Sequence, residues 1–370
     1  MNWFFIIPVA FYSVIIFALW YSVRKKNTEV LPDVSPSAKV SVVVACRDEA
    51  SNITALLESL AAQDYPAGLL EIIIVNDNST DRTPVAVSEF IFVNCQKSPH
   101  KMRLIYNPFN GKKSAIRYGI EKSSGDLILT TDADCTMGHG WVSALAGFWS
   151  FSGVDMILAP VFQRAGRGFV QRLCAFEFAA LQGVTEATAM AGFPVMCNGA
   201  NMGIRREKYI KLSGRLHEDI PSGDDMFLLH AVKRSGGTIG YLGDTAAAVN
   251  TAAAVSAAGL LRQRARWASK AGRYRDPATL TLAAATAACH TAVTAAAAAT
   301  LISPELILLL ITMLAIRLIP DYLLTSHAMK KQEKHLPLLL FFIMDIIYPF
   351  WFVTVGLFSL FPAMREFRHR

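Results

Sequence analysis

This sequence has few charged residues, and its cysteines show no regular spacing. Only 18% of its 370 residues are Asp, Glu, Lys or Arg, and its six cysteines include no CxxC pair, so neither a zinc site nor a disulfide framework is indicated. The formal net charge of +7 comes without zinc-finger spacing or a stacking-aromatic motif, and no nucleic-acid partner is expected. The composition is instead 53% hydrophobic, too apolar for two soluble domains. Part of the chain is therefore expected in a lipid bilayer.

The first long apolar run, Trp3 to Val23, reaches the roughly 20 residues that a helix needs to cross the hydrocarbon core. Arg24, Lys25 and Lys26 follow it, and such positive flanks favour the cytoplasmic side. A cleaved signal peptide would carry its positive charges before the run. We predict a transmembrane anchor over residues 1–23, a cytoplasmic linker over 24–38 and a cytoplasmic domain beyond it, on the plasma (inner) membrane.

Three further apolar runs predict a transmembrane or re-entrant region over residues 278–370. They are Ala278 to Ser303, Glu305 to Leu324 and Leu336 to Phe361. In the second run, Arg317 and Asp321 stand at i, i+4, so they either pair inside a helix bundle or lie near the headgroups. The third run contains Asp345 and Pro349 and is interpreted as kinked, re-entrant or fully spanning. The basic tail with Arg365, Arg368 and Arg370 leaves the number of full spans open.

Residues 39–245 have soluble composition and an alternating β and α pattern. Short apolar runs predict buried parallel strands, and amphipathic stretches between them predict helices. The predicted strands are Lys39 to Ala45, Leu70 to Val75, Met102 to Tyr106 and Asp126 to Thr131, and the predicted helices are Ile53 to Gln63 and Lys112 to Lys122. Ligands of open α/β sheets bind outside the carboxyl ends of strands, so Arg47, Asp48 and Asp77 are expected to face a cleft.

Asp132-Ala133-Asp134 follows the last of these strands. Two carboxylates separated by a single residue repel each other unless a cation binds both. Mg²⁺ or Mn²⁺ with a diphosphate would provide that cation. The alternative is a solvated acidic turn. The sequence lacks GxGxxG and GxxxxGK[ST], so the positive charges that face the phosphates must come from side chains. Lys112 and Arg266 are the candidates.

Taken in order, these motifs resemble the family 2 glycosyltransferases over about residues 39–276. The stretches VVVACRDEASNI, VNDNSTD and GKKSAI, followed by DAD, GDD and QRARW, carry the resemblance. It implies an inverting enzyme whose α/β domain has the GT-A fold, a Rossmann-like nucleotide-diphospho-sugar transferase domain, here inserted between transmembrane helices. The QxxRW motif is typical of the membrane-embedded branch with cellulose, chitin, hyaluronan and poly-N-acetylglucosamine synthases, and ceramide glucosyltransferases are also similar.

The resemblance implies roles for the donor-side residues. Arg47 and Asp77 would lie on the nucleoside side, with Asp77 in contact with the nucleobase, and Lys112 would face the diphosphate. Asp134 would ligate Mg²⁺ or Mn²⁺, with Asp132 as a second ligand on the nucleotide side. Residues 246–277 would form a donor-covering loop and a basic interfacial helix, although Ala252 to Ala254 stand where relatives commonly have TxxP.

The general base implied by the GDD register is Asp225, with Asp224 beside it. One alternative is that both acids only cap a helix N-terminus, where negative charge is stabilising. In a rival alignment, the Glu218-Asp219 pair corresponds to the motif and Asp219 is the general base.

The QxxRW residues Gln263, Arg266 and Trp267 share one helical face by their i, i+3, i+4 spacing. By the resemblance, Gln263 and Arg266 would contact the donor, and the Trp267 indole would stack beneath an acceptor sugar. The alternative is a basic helix that only lies on anionic headgroups. Asn198 would contact the donor sugar or the acceptor, or it would simply form a turn.

The leading functional hypothesis is a processive β-polysaccharide synthase that uses a UDP-sugar. The alternative is a single-addition enzyme that glycosylates a membrane lipid such as a ceramide, a diacylglycerol or a polyprenyl phosphate. A third hypothesis is a non-catalytic membrane protein that binds nucleotide or polymer. Expected partners are the UDP-sugar, a polysaccharide or lipid acceptor, membrane lipids, and an accessory subunit or a second copy of the chain.

Overall fold

A computed structural model describes residues 3–25, 37–94, 98–216 and 223–361. They group into two compact units. We call the first the sheet unit (Thr28–Arg164 and Met196–Ala252) and the second the helical unit (Met1–Asn27, Ala165–Val195 and Ala253–Arg370). The sequence-based predictions for Glu218 and Asp219, for most of the 24–38 linker and for the basic tail fall outside the described residues.

Every strand of the described residues lies in the sheet unit. In chain order they are β1 (Val40–Cys46), β2 (Leu70–Asn76), β3 (Lys101–Tyr106), β4 (Leu127–Thr130), β5 (Thr136–Met137), β6 (Met156–Leu158), β7 (Val161–Arg164), β8 (Met202–Arg205), β9 (Ile239–Tyr241) and β10 (Val249–Ala252).

The helices are divided between the two units. In chain order they are α1 (Trp3–Lys25), α2 (Ile53–Ala61), α3 (Thr83–Asn94), α4 (Lys112–Glu121), α5 (Trp141–Ser152), α6 (Phe169–Met190), α7 (Arg206–Leu212), α8 (Asp224–Arg234), α9 (Ala257–Ala268), α10 (Pro277–Thr300), α11 (Ile307–Lys331) and α12 (Leu338–Phe358). The helical unit contains α1, α6 and α9 to α12.

The main sheet has seven strands in the order β3-β2-β1-β4-β8-β6-β9. Strands β3, β2, β1 and β4 are parallel, as the buried apolar runs predict. Strand β8 pairs antiparallel with both β4 and β6, which makes the sheet mixed. The side chains of β4 are all buried, and those of β1 and β2 nearly all are, because helices cover both faces of a parallel sheet.

Gly125 fixes the close approach of the β4 entry to β1. A Cβ atom at this position would lie 2.6 Å from the backbone nitrogen of Ser41. Its N–H donates to the Ser41 hydroxyl, 2.8 Å away. A side chain here would push apart the two central strands, which carry the loops described below.

In the helical unit, α1, α10, α11 and α12 are long and apolar enough to cross a membrane. The alanine-rich α10 begins where Asp276 accepts a hydrogen bond from the Thr279 N–H at 2.9 Å, with Pro277 in its first turn. The third apolar run forms one continuous helix, α12, with Pro349 inside it.

Polar side chains from three of these four helices meet inside the helical unit. Arg317 is 1% exposed, and it donates to Asp321 at 3.3 Å and to Asp345 of α12 at 2.8 Å. Tyr12 of α1 donates to the other oxygen of Asp321 at 2.9 Å. Arg317 and Asp321 thus pair within the bundle, and buried charges of this kind require such partners. This cluster joins α1, α11 and α12.

Candidate active site

The candidate site lies at one edge of the main sheet. Because β1, β2, β3 and β4 run parallel, their carboxyl ends meet at this edge, where open α/β sheets bind ligands. The loops that follow contain the residues singled out from the sequence. They are Arg47 and Asp48 after β1, Asp77 after β2, Lys112 at the start of α4, and Asp132 and Asp134 after β4.

The loops after β1 and β2 are locked to each other through Asp48. Its carboxylate accepts hydrogen bonds from the Thr80 N–H at 2.7 Å and from the Asp81 N–H at 3.3 Å, and its own N–H donates to the Ser79 hydroxyl. The bonds from Thr80 hold the pKa of Asp48 below its usual value, although partial burial opposes them. Asp48 and Asn78 both have φ near +55°, a left-handed conformation that Asp and Asn tolerate best after glycine. Asp48 therefore fixes this edge of the sheet.

Asp77 is 3% exposed and ties the end of β2 to the start of α4. Its Oδ1 accepts from the Asn107 amide at 2.8 Å and from the Gly111 N–H at 2.9 Å. Gly111 has φ +103°, which a residue with a Cβ rarely adopts. Lys112 follows Gly111 directly, so Asp77 sets the position at which Lys112 leaves the loop.

Lys112 occupies the first turn of α4, where the helix dipole disfavours a positive charge. Its Nζ lies 2.5 Å from Oδ1 of Asp132. Burial tends to lower the pKa of Lys112, but Asp132, Asp224 and Asp225 raise it above its usual value. This lysine therefore stays charged among carboxylates, in a position that does not serve the stability of the helix.

Asp134 extends from the same loop as Asp132 and accepts a hydrogen bond from the Thr251 hydroxyl at 3.0 Å. Reduced hydration and the nearby Asp132 raise the pKa of Asp134, although its side chain is open to solvent on one side. Burial and the charges of Asp134 and Asp132 also raise the pKa of Glu49. Three carboxylates thus repel one another here, a situation that a divalent cation relieves.

The residues present fit a divalent metal ion shared with a diphosphate. Asp132 and Asp134 offer the carboxylate oxygens that Mg²⁺ and Mn²⁺ favour. Within the described parts of the chain, no group of three or more His, Cys, Asp or Glu could hold a metal ion alone. Phosphate oxygens and water molecules would complete the coordination shell, which is common for Mg²⁺.

Asp224 and Asp225 open α8, directly after Gly223. Asp224 lies 3.7 Å from Nζ of Lys113, and Asp225 Oδ2 accepts from the Gly199 N–H at 3.2 Å. The other oxygen of Asp225 accepts from the Met226 N–H at 2.8 Å. Both acids have the geometry of a helix N-terminus, and they also belong to the carboxylate group that surrounds Lys112.

Asn198 forms the turn that holds Asp225. Its side-chain oxygen accepts from the Ala200 N–H at 3.0 Å, as in an Asx turn. Asn201, at the end of this turn, is 1% exposed, donates to the carbonyls of Pro160 and Ala247, and accepts from the Trp141 indole. The turn is therefore rigidly placed within the sheet unit.

Gln263, Arg266 and Trp267 lie on α9 in the helical unit and are all partly buried. Gln263 accepts from the Arg264 guanidinium at 2.9 Å, and this guanidinium stacks 4.3 Å above the Trp267 ring. Sequence reasoning missed Glu49, Lys113 and Thr251 at the sheet edge and the role of Arg264 on α9. The VVVACRDE stretch contains Glu49, but no local pattern indicates the other contacts.

Comparisons with known proteins agree with this architecture. Residues 41–213 match the family model described as Glycosyl transferase family 2. An N-acetylglucosaminyltransferase of Bradyrhizobium diazoefficiens is 29% identical over 246 residues, 64% of this chain and 49% of that protein. A β-monoglucosyldiacylglycerol synthase of a Nostoc species is 30% identical over 137 residues, 36% of this chain and 25% of that protein.

Among solved structures, a mannosyltransferase from Pyrobaculum calidifontis in complex with GDP-Man and Mn²⁺ has a similar fold. Its TM-score is 0.54 at 21% identity, and the match covers 88% of this chain and all of that one. The mixed sheet is thus a GT-A fold, as the motifs predict. The chain spans 25% to 63% of the length of the curated relatives considered.

Proposed function

We propose that this chain is a membrane-integral, metal-dependent, inverting glycosyltransferase that moves a sugar from a UDP-sugar to an acceptor hydroxyl. The observation that carries the proposal is the arrangement at the sheet edge. Lys112 forms an ion pair with Asp132, which shares the DxD loop with Asp134. The charges of a second aspartate pair, Asp224 and Asp225 at the start of α8, also act on Lys112.

Each pair has a different task in this proposal. Asp132 and Asp134 would hold Mg²⁺ or Mn²⁺, which neutralises the charge on the diphosphate of the leaving UDP when bound. Lys112 binds the same diphosphate by charge. Asp225 accepts the proton of the acceptor hydroxyl at Oδ2, and the Gly199 N–H orients this oxygen. Asp224 is engaged with Lys113, which leaves Asp225 as the base of the pair.

The nucleoside side is formed by the loops after β1 and β2. Asp77 is proposed to contact the nucleobase, and because it holds Gly111 it also positions Lys112. Arg47 is 39% exposed beside Asp48 and is available to the donor. On α9, Arg266 would add positive charge for the diphosphate, Gln263 would contact the donor, and Trp267 would stack on the acceptor.

The acceptor proposed first is a growing β-linked polysaccharide. The N-acetylglucosaminyltransferase relatives favour UDP-GlcNAc as the donor. The second candidate is a single transfer to a membrane lipid, which the similarity to a β-monoglucosyldiacylglycerol synthase favours. Four apolar helices support a membrane location, and Arg24 and Lys25 at the end of α1 support a cytoplasmic sheet unit.

Sizing of the product tests this choice. The protein is reconstituted in nanodiscs with total lipid extract, Mn²⁺ and radiolabelled UDP-GlcNAc or UDP-glucose, and the Asp225→Asn variant serves as the inactive control. A ladder of water-soluble products would support the polysaccharide. A lone product that extracts into organic solvent would support the lipid acceptor. No labelled product with either donor, in a protein that folds, would contradict both.

A further inference from the structure

A buried ion pair fixes the QxxRW helix within the helical unit. Glu177 of α6 and Arg264 of α9 are 4% and 5% exposed. The Arg264 Nε donates to Oε2 of Glu177 at 3.1 Å, and Nη2 lies 3.1 Å from the same oxygen. The other carboxylate oxygen, Oε1, accepts from the Trp351 indole N–H at 3.2 Å. Glu177 therefore connects α6, α9 and α12.

Burial of this pair is not explained by stability alone. Removing two charged groups from water costs about as much free energy as their attraction in the protein interior provides. A protein with well-packed apolar residues of similar volume at the two positions is therefore often equally stable. The surroundings would suit such residues, because Cys174, Ala253 and Leu260 form an apolar cluster here with Trp351 packed against it. The charged pair thus calls for a role beyond packing.

The other contacts of the Arg264 guanidinium indicate what this role is. Its Nη1 donates to Oε1 of Gln263 at 2.9 Å, and its plane lies 4.3 Å from the centre of the Trp267 ring. Phe178, next to Glu177, contacts the Trp267 ring as well, with ring centres 6.5 Å apart. Gln263 and Trp267 are therefore held by the Arg264 guanidinium, which Glu177 binds, and Trp267 also by Phe178 of the same helix as Glu177.

We propose that Glu177 and Arg264 are positioning residues that orient Trp267 for the acceptor, with Trp351 as the contact that links this arrangement to α12. The proposal rests on the proposed function, because it assumes that Trp267 contacts an acceptor. Neither residue touches the reacting atoms. Their loss affects the binding of the acceptor and leaves the cleavage of the donor largely intact.

The test compares transfer to an acceptor with hydrolysis of the donor in nanodisc-reconstituted variants. The donor is UDP-GlcNAc with Mn²⁺, and the acceptors are a β-linked N-acetylglucosamine oligosaccharide and, separately, diacylglycerol. Glu177→Gln removes the charge with little change in shape. Arg264→Lys keeps the charge but lacks the planar group that stacks on Trp267. Trp351→Phe removes the hydrogen bond to Glu177 and keeps an aromatic ring in the same place, and it serves if the first two variants fold poorly.

The matched control is Glu186→Gln. Glu186 is on the same helix and is also 4% exposed, and it also pairs with basic side chains. These are Lys331 and His327, which belong to α11 and not to the QxxRW helix. A purely structural effect would lower the unfolding temperature of Glu177→Gln and Glu186→Gln alike. It would also reduce transfer and hydrolysis in the same proportion.

We expect Glu177→Gln and Arg264→Lys to raise the KM for the acceptor about tenfold or more, as small misplacements of binding groups do. Donor hydrolysis should stay within about twofold of the unmodified chain, and Glu186→Gln should leave the acceptor KM unchanged. Equal losses of transfer and hydrolysis, or an unchanged acceptor KM in both variants, would overturn the positioning role while the glycosyltransferase proposal stands. If the unmodified chain neither transfers nor hydrolyses, the proposed function itself fails.

Discussion

The Lys112 ammonium lies 2.5 Å from a carboxylate oxygen of Asp132, 20 positions further along the chain. Lys112 opens a helix and Asp132 follows a buried strand, and the parallel sheet brings the two together. Asp134, Asp224 and Asp225 complete the charged group.

Removal of the Lys112 charge should weaken donor binding. Lys112→Ala is expected to raise the dissociation constant for UDP by about 10- to 100-fold, since a charge-assisted hydrogen bond contributes about 1.5–3 kcal/mol. Isothermal titration with UDP and Mn²⁺ measures the change. Lys101→Ala, at an exposed lysine of β3, is the control and should bind UDP normally. Equal affinities for both variants would remove Lys112 from the donor site.

Asp134→Ala should abolish the dependence of UDP binding on the metal. The carboxylate is proposed as a ligand of Mg²⁺ or Mn²⁺, and its loss leaves the cation without one of two protein contacts. UDP titrations with Mn²⁺ and with a chelator measure the effect. The control is Asp64→Asn, an exposed aspartate of the same unit. Tight binding of UDP by the unmodified chain in the presence of chelator would contradict the metal site.

Asp225→Asn should reduce transfer by about 10²- to 10⁴-fold, the range in which general bases contribute, while UDP affinity changes little. The amide oxygen keeps one of the two hydrogen bonds, from Gly199 or from Met226, and the side chain cannot take a proton. Asp224→Asn should have a smaller effect on kcat, because Asp224 pairs with Lys113. Sugar transfer at an unchanged rate in Asp225→Asn would show that another group is the base.

Asp48→Asn should destabilise the chain at neutral pH by about 1 kcal/mol. This is less than a fully buried charged hydrogen bond contributes, because the Asp48 side chain is in partial contact with water. The pKa of Asp48 is lowered in the folded state, so the stability it contributes is present above the unfolded pKa of aspartate. This stability is lost as the pH falls through the lower pKa that Asp48 has in the folded state. Asn tolerates the left-handed backbone at this position, so the variant isolates the charge.

Thermal unfolding of the unmodified chain and of Asp48→Asn across an acid pH series measures this contribution. The difference in unfolding temperature should shrink as the pH falls. A difference that is constant with pH, or that grows on acidification, would contradict the role of the ionised carboxylate.

Trp267→Ala should impair transfer to the acceptor more than hydrolysis of the donor. The indole is proposed to stack on an acceptor sugar and not on the UDP-sugar. Rates of UDP release with and without an added oligosaccharide separate the two reactions. Trp149→Ala, at another tryptophan outside the proposed site, controls for the loss of an indole. Equal losses of transfer and hydrolysis in Trp267→Ala would remove the acceptor role.

The sequence predicted the parallel strands and the acidic loops well, because both depend on local patterns. β1 and β2 are apolar runs buried on both faces, and their observed bounds differ from the predicted ones by about one residue. The position of Asp132 and Asp134 after a buried strand then places them at the ligand-binding edge.

Helix α6 was not predicted, because Glu177 and Glu186 interrupt its apolar pattern and only their partners on distant helices explain them. Strand β8 is short, and its antiparallel pairing depends on tertiary contacts that no periodicity reports. The ion pair of Lys113 with Asp224 joins residues more than 100 positions apart. Such contacts arise from topology and leave no signal in the local sequence.

The measurement that tests the central claim most directly is UDP release by the nanodisc-reconstituted protein with Mn²⁺ and a set of UDP-sugars, compared with Asp225→Asn and Asp134→Ala. The proposed function predicts release from at least one UDP-sugar that requires Mn²⁺, increases with an acceptor and is lost in both variants. Release that persists in both folded variants, or none by the folded unmodified chain with any donor, would contradict it.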